Sequence, residues 1–223
     1  MTTTTTMTKH PSKAECLQIL KDYGTPPHVV GHCKSVAAVA SKLGEALNRN
    51  GGTKAAPVSE ITLLRCTRPD DIVRTYYAQK EGENEAFPPR PFDLDLVLAA
   101  GLLHDMARVE ENHWDVAADY CAAHGFFEEE KVVCPHMMYE FVNDADHLTE
   151  IDLVSLGDRL TLEDRYAGID DRMDYIIKKA ERNGHPEAKD RILAKKEQTK
   201  VLLADIERRI GSIDELMENL IYD

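Results

Sequence analysis

The run from Asp93 to Ala107 constrains this chain most. Leu94, Leu96, Val97, Leu98, Ala99, Ala100, Leu102 and Leu103 follow one another with hardly a polar break. Apolar residues lie nearly all round the helix this spacing predicts, so the helix must be central and buried. It ends in His104–Asp105. Two ionisable residues at the end of such a run are costly unless they are paired or bound to something. A histidine satisfied by a hydrogen bond and an aspartate serving as a cap would answer that demand. So would a divalent metal, which suits an imidazole nitrogen and a carboxylate oxygen together.

Helical periodicity recurs along the rest of the chain, and strand alternation is almost absent. Helices are expected over Pro11–Asp22, His28–Leu47, His113–His124, Glu128–Asn143, Thr149–Glu163, Arg172–Arg182 and Glu187–Ile210, with Ser212 capping a short last one. The fold class is therefore all-α: a helical bundle with an irregular insertion and extra C-terminal helices. Residues 1–10 read as a disordered, threonine-rich lead-in that includes His10. Residues 11–182 read as the core, interrupted by an insertion at about 53–91. That insertion carries Arg65, Arg68, Arg74 and an acidic stretch around Glu81–Glu85, with room for one short helix. Residues 183–223 read as a helical extension packed on the core. The charged helix Glu187–Ile210 suits a homo-oligomer or a partner surface.

Charge narrows the functions. The formal net charge is −13, and a nucleic-acid polymer needs a basic footprint, so that partner is not expected. No apolar run reaches the ~18 residues of a membrane span. The odd set Cys16, Cys33, Cys66, Cys121 and Cys134 has no CxxC pair, which reads as reduced, buried thiols in a cytoplasmic protein.

Two further residues have the position of His104 and Asp105. His32 heads the stripe His32, Val36, Val39 and Leu43 on the second helix, and Asp158 closes the apolar run Leu153–Val154–Ser155–Leu156–Gly157. Each has a plain structural alternative, a hydrogen-bonded core histidine and a partner for Arg159 or Arg165.

The order His32, His104–Asp105, Asp158 on helices of an all-α chain resembles the HD-domain superfamily of metal-dependent phosphohydrolases. His32–Cys33–Lys34–Ser35–Val36–Ala37 is similar to its first motif, Ala100–Gly101–Leu102–Leu103–His104–Asp105–Met106–Ala107–Arg108 to its central motif, and Asp158–Arg159–Leu160 to its closing motif. The interval from His32 to His104 is long for that family. The resemblance implies that His32, His104, Asp105 and Asp158 hold a divalent transition metal, Mn, Fe, Co, Ni or Zn. His113 and His136 are similar to two extra histidines of a subset that holds a second ion with Asp105 as the bridge, so one or two ions are expected.

The implied reaction is hydrolysis of a small phosphorylated substrate, a nucleotide above all, by a water that the metal activates. Asp105 and Arg108 are the expected catalytic residues, with Lys34, Arg108, Arg159, Arg165 and Arg172 as donors to the phosphate. Two alternatives stand beside it: a di-iron oxygenase of the same fold, and a non-catalytic helical binding or regulatory module.

Overall fold

A computed structural model describes residues 10–61, 87–136, 139, 141 and 144–222. The fold is all-α, with one two-stranded antiparallel hairpin. The helices are α1 (Lys13–Tyr23), α2 (Pro27–Arg49), α3 (Leu94–Leu103), α4 (His113–Ala123), α5 (Phe127–Val133), α6 (Glu150–Leu160), α7 (Gly168–Arg182), α8 (Lys189–Ile210) and α9 (Ile213–Met217). The strands β1 (Thr161–Leu162) and β2 (Arg165–Tyr166) form the hairpin.

Local chemistry sets the helix ends. Ser12 and Glu15 form a capping box at the start of α1, and Thr149 and Asp152 form another at the start of α6. Pro27 occupies the first turn of α2, where a missing N–H costs nothing. Asp93 caps α3 through the Leu96 N–H, and Ser212 caps α9 as expected.

α2 is the centre of the bundle, packed between α3 and α6. Two glycines bring the backbones together. A Cβ on Gly101 would stand 2.7 Å from the Ala37 Cα, and one on Gly157 would stand 2.8 Å from the Val36 carbonyl oxygen. No real Cβ tolerates such approaches, so both positions require glycine. Leu43, Leu96, Leu103, Leu153 and Leu156 fill the space between the three helices, all essentially without exposure. Ile206 of α8 and Met217 of α9 join the same core.

Several expectations are corrected. α3 ends at Leu103 rather than Ala107, and the chain goes on through tight turns in which Met106 N–H donates to Leu103 and Arg108 N–H to Asp105. α5 stops at Val133, well short of Asn143. Pro135 has no N–H to continue it. The segment after Leu160 is the hairpin, and α7 begins at Gly168.

Within the insertion, Thr53 and Arg90 exchange backbone hydrogen bonds of 2.8 Å. Arg90 clamps Glu150 with bonds of 2.7 and 3.0 Å. Val58–Glu60 forms a single short 3-10 turn in the insertion, and the insertion's three arginines and its acidic stretch lie outside the described residues.

His10 is not part of a loose lead-in. It is buried, with Nδ1 2.7 Å from Glu129 of α5 and Nε2 3.2 Å from Asp93 at the head of α3. Both ring nitrogens face carboxylates, so only the imidazolium can donate to both. Burial disfavours that charge, but the Asp93 and Glu129 carboxylates outweigh it and push the pKa up from 6.5 to about 9.

Gly101→Ala should cost about 1–3 kcal/mol of stability in urea unfolding, because the added methyl meets backbone rather than a movable side chain. The raised His10 pKa gives stability that is full below the unfolded value near 6.5 and is lost as pH rises through about 9. Unfolding free energy should therefore fall by up to ~3 kcal/mol between these pH values. The same titration on His10→Gln should show that fall largely abolished; an unchanged fall would show that His10 is not its source.

Candidate metal centre

The turn after α3 is what makes the site. His104 and Asp105 are both wholly buried. Asp105 lies at the middle of five cationic or imidazole side chains from four parts of the fold. His32 of α2 brings Nε2 to 3.6 Å from Oδ2 of Asp105, and His104 brings Nε2 to 3.5 Å from the same oxygen. On the other side, His113 at the head of α4 stands 3.2 Å from Oδ1, and His136, just past α5, stands 3.4 Å from it. Arg108, one turn on, donates Nη1 to Oδ2.

Each carboxylate oxygen therefore faces its own pair of imidazoles. Two groups of three possible ligand atoms result, His32, His104 and Asp105, and Asp105, His113 and His136, with atoms in each within 4.8 Å of one another. Asp105 belongs to both.

The ring tautomers decide what these contacts are. His32 Nδ1 lies 2.9 Å from the Glu163 carbonyl, His104 Nδ1 2.8 Å from that of Gly101, and His136 Nδ1 2.8 Å from that of Val133. A carbonyl only accepts, so in all three rings Nδ1 carries the proton and donates it. In the neutral ring Nε2 then presents a lone pair. Those lone pairs point at carboxylate oxygens, which also have only lone pairs to offer. Such contacts repel unless a proton or a cation lies between them. Consistently, Nε2 of His104, His113 and His136 and Oδ1 of Asp105 are buried without any hydrogen-bond partner. Nδ1 held by a carbonyl and Nε2 free is the arrangement of a metal-ligating histidine.

The electrostatics agree at Asp105 and His104. Burial opposes ionisation of Asp105, yet His104, His113 and His136 hold its carboxyl well below the usual range. Burial pushes the His104 imidazole down towards its neutral, ligating form, and the Asp105 carboxylate does not reverse this. For His136 the balance tips the other way, and Asp105 raises it despite burial.

Asp158, the fourth expected ligand, meets this cluster at His32 and falls in neither group of three. Its Oδ1 is 3.1 Å from His32 Nε2 and 3.2 Å from Nη2 of Arg172. Burial works against its charge, but His32 and Arg172 keep it strongly ionised. Arg172, expected as a phosphate donor, is buried on α7 with its Nε unpartnered.

Three expected phosphate donors are elsewhere. Arg159 is buried, donating to Thr199 Oγ1 at 3.1 Å and to the Tyr139 carbonyl, with its guanidinium 4.3 Å from the Phe141 ring centre. It follows Asp158 directly on α6, so it points about 100° away, towards α8. Lys34 lies two residues past His32, on a different face of α2, and lines a separate cavity. Arg165 is exposed on β2 and has no partner among the described residues.

One supporting contribution was not foreseen. The hairpin supplies the Glu163 carbonyl that fixes His32, with Glu163 itself at φ 56°. The chain's last residues brace that hairpin: Tyr166 N–H donates to the Tyr222 hydroxyl at 2.9 Å, and the Tyr166 hydroxyl donates to Asp214 at 2.6 Å. Its sequence signal was only the turn-like Glu163–Asp164 pair.

A protein-family model described as HD domain matches residues 29–176, a span holding every side chain of both ligand groups. No curated protein and no solved structure matches the chain.

The two groups predict stoichiometry. Elemental analysis of the protein after loading with Mn, Co or Fe and desalting should find two ions per chain. His136→Ala should hold about one, because the group that keeps His32 and His104 is intact. Equal metal content in the two proteins would contradict a second ligand set at His113 and His136.

Proposed function

The chain belongs to the HD domain family, and from that premise we propose that it is a metal-dependent phosphohydrolase acting on a small phosphate ester, a nucleotide by preference. The observation that carries this reading is the convergence of imidazole lone pairs on both oxygens of buried Asp105. A salt-bridge network alone would not need it, since Arg108 and Arg172 already stand against Asp105 and Asp158. His32, His104 and Asp105 would hold one divalent ion, and Asp105, His113 and His136 a second. Mn, Fe, Co, Ni or Zn fits the mixed nitrogen and oxygen donors. Such an ion supplies Lewis acidity at a phosphoryl oxygen and a water acidified towards neutral pH.

The chain's own residues do the rest. The carbonyls of Glu163, Gly101 and Val133 fix three rings, so the ligands need no reorganisation when substrate arrives. Arg108 is the cation at the cluster with substantial exposure, 34% of its side chain. Its guanidinium can turn from Asp105 to the phosphoryl oxygens, where a planar fork matches the charge that develops. Arg172 keeps Asp158 ionised and aimed at His32. Buried walls exclude bulk water and strengthen each of these interactions.

The second ligand group also favours one other reading, a di-iron oxygenase built on the same five residues. The two differ in what they consume.

Metal-loaded protein should release inorganic phosphate from nucleoside monophosphates or a chromogenic phosphate ester. Asp105→Asn should lower kcat/KM roughly a thousandfold by losing the ligand common to both groups. Arg108→Ala should lower kcat about 10- to 100-fold while metal content stays at the parent value. Phosphate release that is absent with every metal, alongside oxygen consumption by the iron-loaded protein, would replace the hydrolase reading with the oxygenase.

A further inference from the structure

A second feature of α2 lies off the metal cluster. A cavity of about 330 Å³ opens between α2, α3, the start of α1 and the stretch Asn219–Ile221. None of its lining residues belongs to either ligand group. Its floor is apolar, built from Ala37, Leu98 and Leu102, and its rim carries Lys13, Lys34 and Lys42.

Three observations give this cavity a ligand chemistry. First, three ammonium groups meet a single carboxylate, Glu45, in a chain of net charge −13. Lys42 comes no nearer to Glu45 than 4.0 Å, and Lys13 and Lys34 have no ion pair with any described residue. Cations concentrated at an apolar-walled concavity raise the local potential for anions, even on an acidic protein. Second, the Ser41 hydroxyl, also on the lining, is buried without a hydrogen-bond partner. Buried donors of this kind are uncommon and call for an acceptor. Third, the volume and the mixture of apolar floor with a few polar groups suit one small molecule.

We propose that this cavity is a binding site for a small organic anion, a phosphate or carboxylate borne on an aromatic or short aliphatic body. The anionic group sits among Lys34, Lys42 and the Ser41 hydroxyl, and the apolar body lies on Leu98 and Leu102. Lys34, similar in position to a residue of the first family motif, thus serves this second site. The site stands whether or not the cluster hydrolyses phosphate.

The test uses the full chain stripped of metal by chelation, with 1-naphthyl phosphate as the probe in a calorimetric titration. Saturable binding of one probe per chain is expected, with 1-naphthol and inorganic phosphate each at least ~10-fold weaker. Lys34→Gln/Lys42→Gln should weaken the probe at least ~10-fold without moving the unfolding midpoint, since both side chains reach solvent. Asp105→Asn should bind it as the parent does. Methyl chemical shifts of Ala37, Ala38, Leu98 and Leu102 should move on titration, a readout that needs no variant. No saturable binding, binding untouched by the double substitution, or binding lost in Asp105→Asn would each overturn the proposal, the last by placing the probe at the cluster.

Discussion

Everything at the centre of this fold answers to the buried charge of Asp105. An ionised carboxylate with no exposure is among the most expensive groups a protein core can hold, and it persists only when its surroundings return the lost hydration. Four imidazoles and one guanidinium do so here. They come from α2, the turn after α3, the head of α4 and the end of α5. The carboxylate thus couples elements far apart in sequence, and the geometry that meets its electrostatic demand also makes two adjoining ligand groups.

That convergence is a packing problem solved by small residues and backbone carbonyls. Gly101 and Gly157 let α3 and α6 close on α2, which sets the distance between His32 and the His104–Asp105 turn. The carbonyls of Gly101, Val133 and Glu163 then orient the rings. The last of these depends on the hairpin, and the hairpin on Tyr222 and Asp214. The C-terminal residues beyond the HD domain match are in this way tied mechanically to the first ligand. At the opposite pole, buried His10 joins the heads of α3 and α5, the helices that lead to His104 and His136.

Much of this was legible in the sequence because it rests on periodicity. The apolar run into His104–Asp105 announced both the buried helix and its costly end, and the stripe from His32 announced the face of α2 that meets it. His113 and His136, singled out through the family resemblance, stand 3.2 and 3.4 Å from Asp105. What escaped depends on helical phase or on contacts distant in sequence. Lys34 and Arg159 follow His32 and Asp158 so closely that proximity suggested a common task, yet offsets of two residues and one residue turn them towards other faces. Pro135 was a readable stop signal for α5. Nothing local marks His10, whose partners are 83 and 119 residues away. A hairpin with two residues per strand is too short for alternation to register.

The central claim is that each oxygen of Asp105 serves its own ion. Anomalous diffraction from crystals grown with Mn²⁺ measures this directly. Two peaks are expected, one between Asp105 Oδ2 and the rings of His32 and His104, the other between Oδ1 and the rings of His113 and His136. An absence of peaks at Asp105, with Arg108 still on its carboxylate in metal-saturated crystals, would contradict that claim and leave the cluster a charge-balanced core.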